Sequence, residues 1–201
     1  MGKQKYLKNI EDLFKKSPIV SSSSISRIIN SKKNIKQYSK QLIRNLILKD
    51  KIRRLTKGFY TIHDDISLVV FCFKPSYLGL QDSLSFHELW EQETIPIIIT
   101  SRKIRQGIRK ILGMNILIRR IDKKYLFGFE YYKHDKFYLP YSNIEKTFID
   151  MVYFRQKMSK DMIKTITKRI DKERLNSYLK VYSKEFRKKV LDIYSSLLKT
   201  S

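Results

Sequence analysis

The chain has 201 residues, with 43 Lys or Arg against 19 Asp or Glu, and its formal net charge is +24. A hydrophobic content of 42% with 13 Tyr and 11 Phe excludes a disordered basic tail, and no apolar run approaches the ~18 residues of a membrane span. The single cysteine, Cys72, excludes an internal disulfide and a cysteine-based zinc site. With a first segment too polar for a signal peptide, we expect a cytoplasmic protein.

The charge predicts a polyanionic partner. An AT-rich genome would enrich Lys, Ile, Tyr and Phe together, but it would not explain the shortage of acids. Nucleic acid and an anionic membrane surface are the two candidates, and we find no basic amphipathic helix with a Trp, Phe and Leu face that would favour the membrane. Residues 1–62 carry 16 basic and 3 acidic side chains, so more than half of the excess lies in under a third of the chain. We therefore predict a basic first domain, residues 1–62, and a less basic second domain, residues 63–201.

Three helices are predicted in the first domain. Apolar residues at helical spacing from Tyr6 to Phe14 form the first, which ends at Ser17-Pro18. Ser23 or Ser24 is expected to cap a short second helix. The third runs from about Asn34 to Leu48, with an apolar stripe of Ile35, Tyr38, Leu42, Ile43, Leu46 and Ile47 opposite a Lys/Gln face.

A basic hairpin follows the third helix. In "KDKIRRLTKGFYTI", residues 49–62, Gly58 supplies the positive φ of a tight turn, and the strands carry several cations against one acid. Three helices and a hairpin in this order predict a winged helix-turn-helix that binds double-stranded DNA, with glutamines placed to read bases and cations placed to contact phosphates. A merely solvated Lys/Gln face is the alternative. The predicted contacts here are Lys32, Lys33, Lys36, Gln37, Lys40, Gln41, Arg44, Arg53, Arg54 and Lys57.

The second domain is predicted as an α+β core, residues 63–155, with a helical tail, residues 156–201. A short helix is compatible with Ile66 to Phe73, and "LQDSLSFHELW", residues 80–90, fits a helix. Strands are expected over residues 95–101 and 115–121, and a hairpin over residues 124–141 with His134-Asp135 at its turn. "SNIE", residues 142–145, has the capping-box pattern that opens a helix.

A second basic cluster lies in this domain. Arg102, Lys103, Arg105 and Arg109 lead it, and Lys110, Arg119 and Arg120 follow. Gly107 and Gly113 predict a flexible loop here. A solvated loop and a second phosphate-contacting surface both stay open as interpretations.

Several segments together resemble the AbiEi family of type IV antitoxins and winged-helix transcriptional regulators. They are "KGFY" at residues 57–60, "PSY" at 75–77, "DSL" at 82–84, "ITSR" at 99–102, and Glu145-Lys146 with Asp150. The similarity covers roughly residues 5–155. Asp82 and Glu88 depart from the family pattern, where Ser and often Gly stand.

The resemblance implies an autorepressor that binds promoter repeats and acts as an antitoxin. Its functional counterpart would be a nucleotidyltransferase-like toxin, without a tight complex between the two proteins. We expect a monomer or weak dimer, no membrane partner and no cofactor.

No enzyme pattern is found. His87-Glu88 lacks the second His of a zinc protease helix, and Glu88, Glu91 and Glu93 have no base or metal partner in the sequence. We expect His87 to be a partly buried helix residue, and we predict no catalytic residue and no metal ligand. The alternative function is a basic nucleic-acid-binding module or a nuclease acting on DNA or RNA. An RNA binder would expose aromatics on a sheet, whereas Tyr131, Tyr132, Phe137 and Tyr138 alternate with charges and are expected to be half in the core.

Overall fold

The structure is a computed structural model that describes residues 6–29, 35–134 and 136–196. The described residues form eight α-helices and nine β-strands in two sheets, so the predicted mixed α+β class is confirmed. The chain divides into two compact units, Met1–Cys72 with Lys110–Met114 and Phe73–Arg109 with Asn115–Ser201. None of the described helices has the length and apolar character needed to cross a membrane.

The first unit consists of three helices and a small sheet. In chain order they are α1 (Leu7–Lys16), β1 (Val20–Ser21), α2 (Ser22–Ile28), α3 (Ile35–Leu48), β2 (Arg53–Thr56) and β3 (Phe59–Thr61). The strands are antiparallel in the order β1-β3-β2. One hydrophobic cluster joins the helices to the sheet, with Ile10, Phe14, Ile25, Leu42, Ile43 and Leu46 among its buried members.

The N-terminus of α2 differs from its prediction. Ser21, not Ser23 or Ser24, is the N-cap, and its hydroxyl accepts a hydrogen bond from the Ser24 N–H at 3.0 Å. Because four serines follow one another, the sequence alone cannot show which of them is the N-cap. Ser21 is selected because it also ends β1, opposite Phe59 of β3, so the sheet fixes where the helix begins.

A six-stranded mixed sheet lies in the second unit, except for Lys110–Met114 at the β6–β7 turn, which belong to the first. Its strands are β4 (Ser76–Leu78), β5 (Ile97–Thr100), β6 (Gly107–Ile111), β7 (Met114–Arg120), β8 (Phe129–His134) and β9 (Phe137–Ser142). Their order is β6-β7-β5-β4-β9-β8, with β4 antiparallel to β5 and parallel to β9, and β5 parallel to β7. All four residues of β5 are buried, as expected for a strand covered on both faces. The strands predicted over residues 95–101 and 115–121 are confirmed. The predicted hairpin forms, but its first strand begins at Phe129 and not at residue 124, because Lys123–Tyr125 is a 3₁₀ segment; Asp135 lies outside the described residues.

The helices of the second unit are α4 (Gln81–Phe86), α5 (Ile144–Tyr153), α6 (Lys160–Arg169), α7 (Lys172–Leu179) and α8 (Lys184–Ser196). The 3₁₀ segment Lys123–Tyr125 also belongs to this unit, whereas the 3₁₀ segment Ile66–Phe73 lies, apart from Phe73, in the first unit. The core gathers Phe148, Ile149, Ile166, Leu175 and Leu179 against Tyr77 and Ile99 of the sheet. Residues 145–152 of α5 are all buried, so this helix is the centre of the unit.

The start of α5 corrects the capping-box prediction. Asn143 is the N-cap, and its side chain accepts from the Lys146 N–H at 3.0 Å. Glu145 does not reach back to the cap; it is buried, and its carboxylate accepts from the Asp171 N–H at 2.8 Å, at the start of α7. The acid therefore joins two helices instead of closing one.

Candidate nucleic-acid interface

Helix α3 presents one polar row to solvent. Gln37, Lys40, Gln41 and Arg44 are all exposed. At 100° per residue they fall on one face about 100° wide, and Leu48, 71% exposed, continues the row at the helix end. The predicted face is thus assembled by the described part of α3. The side chain of Lys36, and Lys32 and Lys33 altogether, lie outside the described residues.

The opposite face of α3 packs into the core, which is why the polar row faces solvent. Leu42, Ile43 and Leu46 are buried, as the apolar stripe predicted, and the side chain of Ile35 lies outside the described part. Ser39 is also buried and accepts a hydrogen bond from the Ser26 hydroxyl of α2 at 3.1 Å. Sequence reading missed this polar contact, because a serine in a Lys/Gln-rich helix gives no sign of burial.

The β2–β3 hairpin carries the second set of cations. Lys57 and Gly58 form its two-residue turn, with φ +85° at Gly58, and a bulge lies between Arg54 and Thr56. Arg54 and Lys57 are exposed, and the Arg54 Nε donates to the Thr56 carbonyl at 3.3 Å, which holds the guanidinium along the strand. These side chains are available to contact phosphate.

Arg53 differs from its two neighbours because it has an acidic partner. Its guanidinium forms an ion pair with the Asp64 carboxylate, and both side chains are exposed to solvent. An exposed pair of this kind contributes little stability, but it neutralises the charge locally. Of the three predicted hairpin cations, Arg54 and Lys57 are therefore better placed than Arg53 to bind a polyanion.

The second basic cluster gathers at one end of the sheet in the second unit. Since β5 and β7 are parallel, with Thr100 opposite Arg120, the loop leaving β5 begins beside the end of β7. Arg102, Lys103, Arg105 and Arg120 are exposed there, and residues 94–121 contain no Asp or Glu. The fold therefore creates a cationic patch from two separate segments. Arg120 belongs to it, although it was not among the leading sequence candidates.

Hydrogen bonds tie the segment that carries this patch to the neighbouring strands. The Thr100 hydroxyl accepts from the Arg102 N–H at 3.1 Å, and the Gln106 side chain accepts from the Arg120 N–H at 2.9 Å. Arg109 is half-buried and donates to the Arg105 carbonyl at 2.7 Å, with its guanidinium 5.8 Å from the Phe73 ring centre. Gly107 begins strand β6 and is not a loop residue. Arg109 is thus a structural brace of the loop, unlike its exposed neighbours.

A buried ion pair lies at the centre of the second unit. Lys146 and Asp150, one turn apart in α5, are both fully buried and in direct contact. The Tyr77 hydroxyl donates to the other Asp150 oxygen at 2.6 Å, and the Lys146 ammonium lies 5.4 Å from the centre of the Phe127 ring. Burial lowers the pKa of Lys146 and raises that of Asp150, each against the opposing effect of its partner. Burial also raises the pKa of Tyr77 well above its ordinary value.

Several residues that carry the resemblance to AbiEi proteins lie in or near this ion pair. Tyr77, Lys146 and Asp150 meet directly, while Ser83 of the "DSL" segment donates to the Ser142 carbonyl at 2.7 Å. Their seclusion from solvent makes them a folding centre of the second unit and not a contact surface.

His87 makes aromatic and hydrogen-bond contacts within the second unit. His87 ends α4, packs against the Phe86 and Tyr132 rings, and hydrogen-bonds the Ser142 carbonyl through Nε2 at 2.8 Å. Burial lowers its pKa. Glu88 and Glu91 are exposed, and within residues 6–29, 35–134 and 136–196 no three His, Cys, Asp or Glu side chains gather as a metal site would need.

Comparison with known proteins gives a structural neighbour and no family. No family model matches the chain, and no curated protein matches it. Among solved structures, the RV2827C protein from Mycobacterium tuberculosis superposes with a TM-score of 0.56 at 11% sequence identity, covering 94% of this chain and 77% of that chain. At this identity the likeness concerns the fold alone.

Proposed function

We propose that the chain is a sequence-specific DNA-binding regulator whose first unit is a winged helix-turn-helix. Three helices and an antiparallel sheet follow one another in the order α1-β1-α2-α3-β2-β3, which is the order of that motif. In this arrangement α3 is the recognition helix and the β2–β3 hairpin is the wing.

The exposed row of α3 is the observation that carries the proposal. Gln37 and Gln41 lie one turn apart among cations, and glutamine can hydrogen-bond adenine at two points in the major groove. Arg54 and Lys57 on the hairpin would contact the flanking phosphates, which fix register but carry no base identity. Arg102, Lys103, Arg105 and Arg120 of the second unit offer another phosphate-binding patch, whose contribution to the footprint can be measured separately.

By the resemblance to AbiEi proteins, we further propose that the regulator represses its own operon and acts as the antitoxin of a type IV system. The second unit would carry the antitoxin activity, opposing a nucleotidyltransferase-like toxin encoded beside it. Expression of the adjacent toxin with and without this chain tests the role directly. Unchanged toxicity in its presence contradicts the antitoxin function while leaving DNA binding intact.

Duplex binding is tested by fluorescence anisotropy with the DNA upstream of the gene and a shuffled duplex of the same composition. Raising salt from about 50 to 200 mM should weaken binding steeply, because each Lys or Arg contact releases condensed counterions. Arg54→Ala with Lys57→Ala should weaken binding to both duplexes equally. A salt-independent affinity contradicts the proposal, and so does a hairpin variant that binds as tightly as the natural chain.

A further inference from the structure

The β8–β9 hairpin of the second unit exposes two tyrosines on one face. In the antiparallel register, Tyr131 pairs with Pro140 and Lys133 pairs with Tyr138. Tyr131, Lys133 and Tyr138 therefore point to the same side of the sheet, and the two tyrosines are diagonal neighbours on adjacent strands. Tyr131 is 55% exposed and Tyr138 is 62% exposed. This corrects the expectation that both would lie half in the core.

The other face of the same hairpin is packed with aromatic side chains. Tyr141 stacks on Phe86 with ring centres 4.1 Å apart, and Tyr132 lies 5.2 Å from the same ring. By contrast, the rings of Tyr131 and Tyr138 make no ring contact, and their hydroxyls no hydrogen bond, with any other described residue. Tyrosine is a favoured strand residue, and at these two positions it also leaves an aromatic ring accessible to a ligand.

Two lysines lie near the tyrosine pair. Lys133 lies directly opposite Tyr138, and Lys136 lies near the turn; both are exposed. Glu130 lies on the opposite face of β8, where the Tyr132 hydroxyl contacts its carboxylate at 3.5 Å. The described residues on the tyrosine face, from 129 to 142, include no acid, and Asp135 of the turn lies outside the described residues. Since β8 is an edge strand of the sheet, no further strand of the described chain encloses the face on that side.

We propose that Tyr131 and Tyr138 form a stacking platform for the unpaired bases of single-stranded DNA, with Lys133 as a phosphate contact. Exposed aromatics on a sheet beside cations bind single strands in this way, because every base presents a ring face. The choice of DNA over RNA rests on the proposed function of the chain. The platform itself does not, because it lies on residues unrelated to α3 and the β2–β3 hairpin.

The experiment compares a fluorescent single-stranded DNA of about ten nucleotides with the duplex used above, both titrated with the full chain. Tyr131→Ala with Tyr138→Ala should reduce single-strand affinity at least about tenfold and leave duplex affinity unchanged. The matched variant, Tyr131→Phe with Tyr138→Phe, keeps the rings and should retain single-strand affinity. Arg54→Ala with Lys57→Ala should show the reverse pattern, so failure of either proposal is seen separately.

A strand whose central nucleotides lack bases isolates the stacking contribution. It should bind the natural chain no better than the intact strand binds the double alanine variant. Three results would overturn the platform. The abasic strand could bind as tightly as the intact strand, or the natural chain could bind no single strand. The double alanine variant could also keep full single-strand affinity, which is the result expected if the tyrosines bind a protein instead. An RNA strand that binds while the DNA strand does not overturns the choice of DNA.

Discussion

Replacing Lys146 by Met tests the buried pair at the centre of the second unit. Met keeps much of the length of Lys and its contact with the Phe127 ring, but it removes the charge that faces Asp150. The carboxylate then remains in a site with no solvent access, where an uncompensated charge is strongly disfavoured. The Tyr77 hydroxyl, 2.6 Å away, can solvate only one of the two oxygens.

The magnitude follows from the least costly response, which is protonation of Asp150. An aspartate of ordinary pKa, about 3.9, costs about 1.4 kcal/mol to protonate for each pH unit above that value. At pH 7 the variant should therefore lose about 4 kcal/mol of unfolding free energy, and at pH 5 only about 1.5 kcal/mol. The loss grows with pH because the folded variant keeps a proton that the unfolded chain releases above about pH 4.

Urea unfolding followed by tryptophan fluorescence measures this loss selectively, because Trp90 is the single tryptophan and packs on the core of the second unit. Lys164→Met, at an exposed position of α6, is the matched control and should change stability by less than about 0.5 kcal/mol. Lys146→Met with Asp150→Leu should be more stable at pH 7 than Lys146→Met alone, because no buried carboxyl group then has to be protonated. Equal losses at pH 5 and pH 7 would refute the reasoning.

Two further predictions concern His87 and the glycines. Because burial lowers the pKa of His87, the unfolded chain takes up a proton below about pH 6.5 that the folded chain resists, and stability falls on acidification. His87→Gln keeps a donor for the Ser142 carbonyl, and its urea midpoint should change less with pH, between about pH 5 and 6.5, than that of the natural chain. If the midpoints of both chains change equally with pH, His87 does not have this role. Gly128→Ala places a Cβ 2.8 Å from the Lys146 Cβ at φ +68°, whereas Gly113→Ala at φ +81° meets no atom within 4 Å; melting temperature should fall more for Gly128→Ala, and equal shifts would mean that strain alone decides.

The elements that could be predicted from sequence are those whose pattern is local. The apolar stripe of α3 recurs at helical spacing, and the buried run of β5 is bounded by polar residues and a proline. The shorter strands could not be found this way. β4 has three residues, Ser76–Leu78, and its place between β5 and β9 depends on partners about twenty and sixty residues away.

The candidate site was predictable where it depends on helical periodicity and not where it depends on tertiary pairing. Gln37 and Arg44 share a face of α3 by spacing alone. By contrast, the ion pair between Arg53 and Asp64 and the exposure of Tyr131 follow from strand register and packing, which alternation of residue types does not specify. The complete burial of Lys146 could not be predicted either, because lysines are almost always exposed.

The central claim is that the exposed row of α3 reads bases, and the affinity ratio between upstream and shuffled duplexes tests it most directly. Gln37→Ala with Gln41→Ala removes two side chains that are exposed in the free chain, so the fold should be unaffected. Loss of two base contacts worth about 1–3 kcal/mol each should lower affinity for the upstream duplex by about thirtyfold or more and leave the shuffled duplex unchanged. Equal loss of affinity for both duplexes, or no loss for either, would contradict the assignment of α3 as the recognition helix.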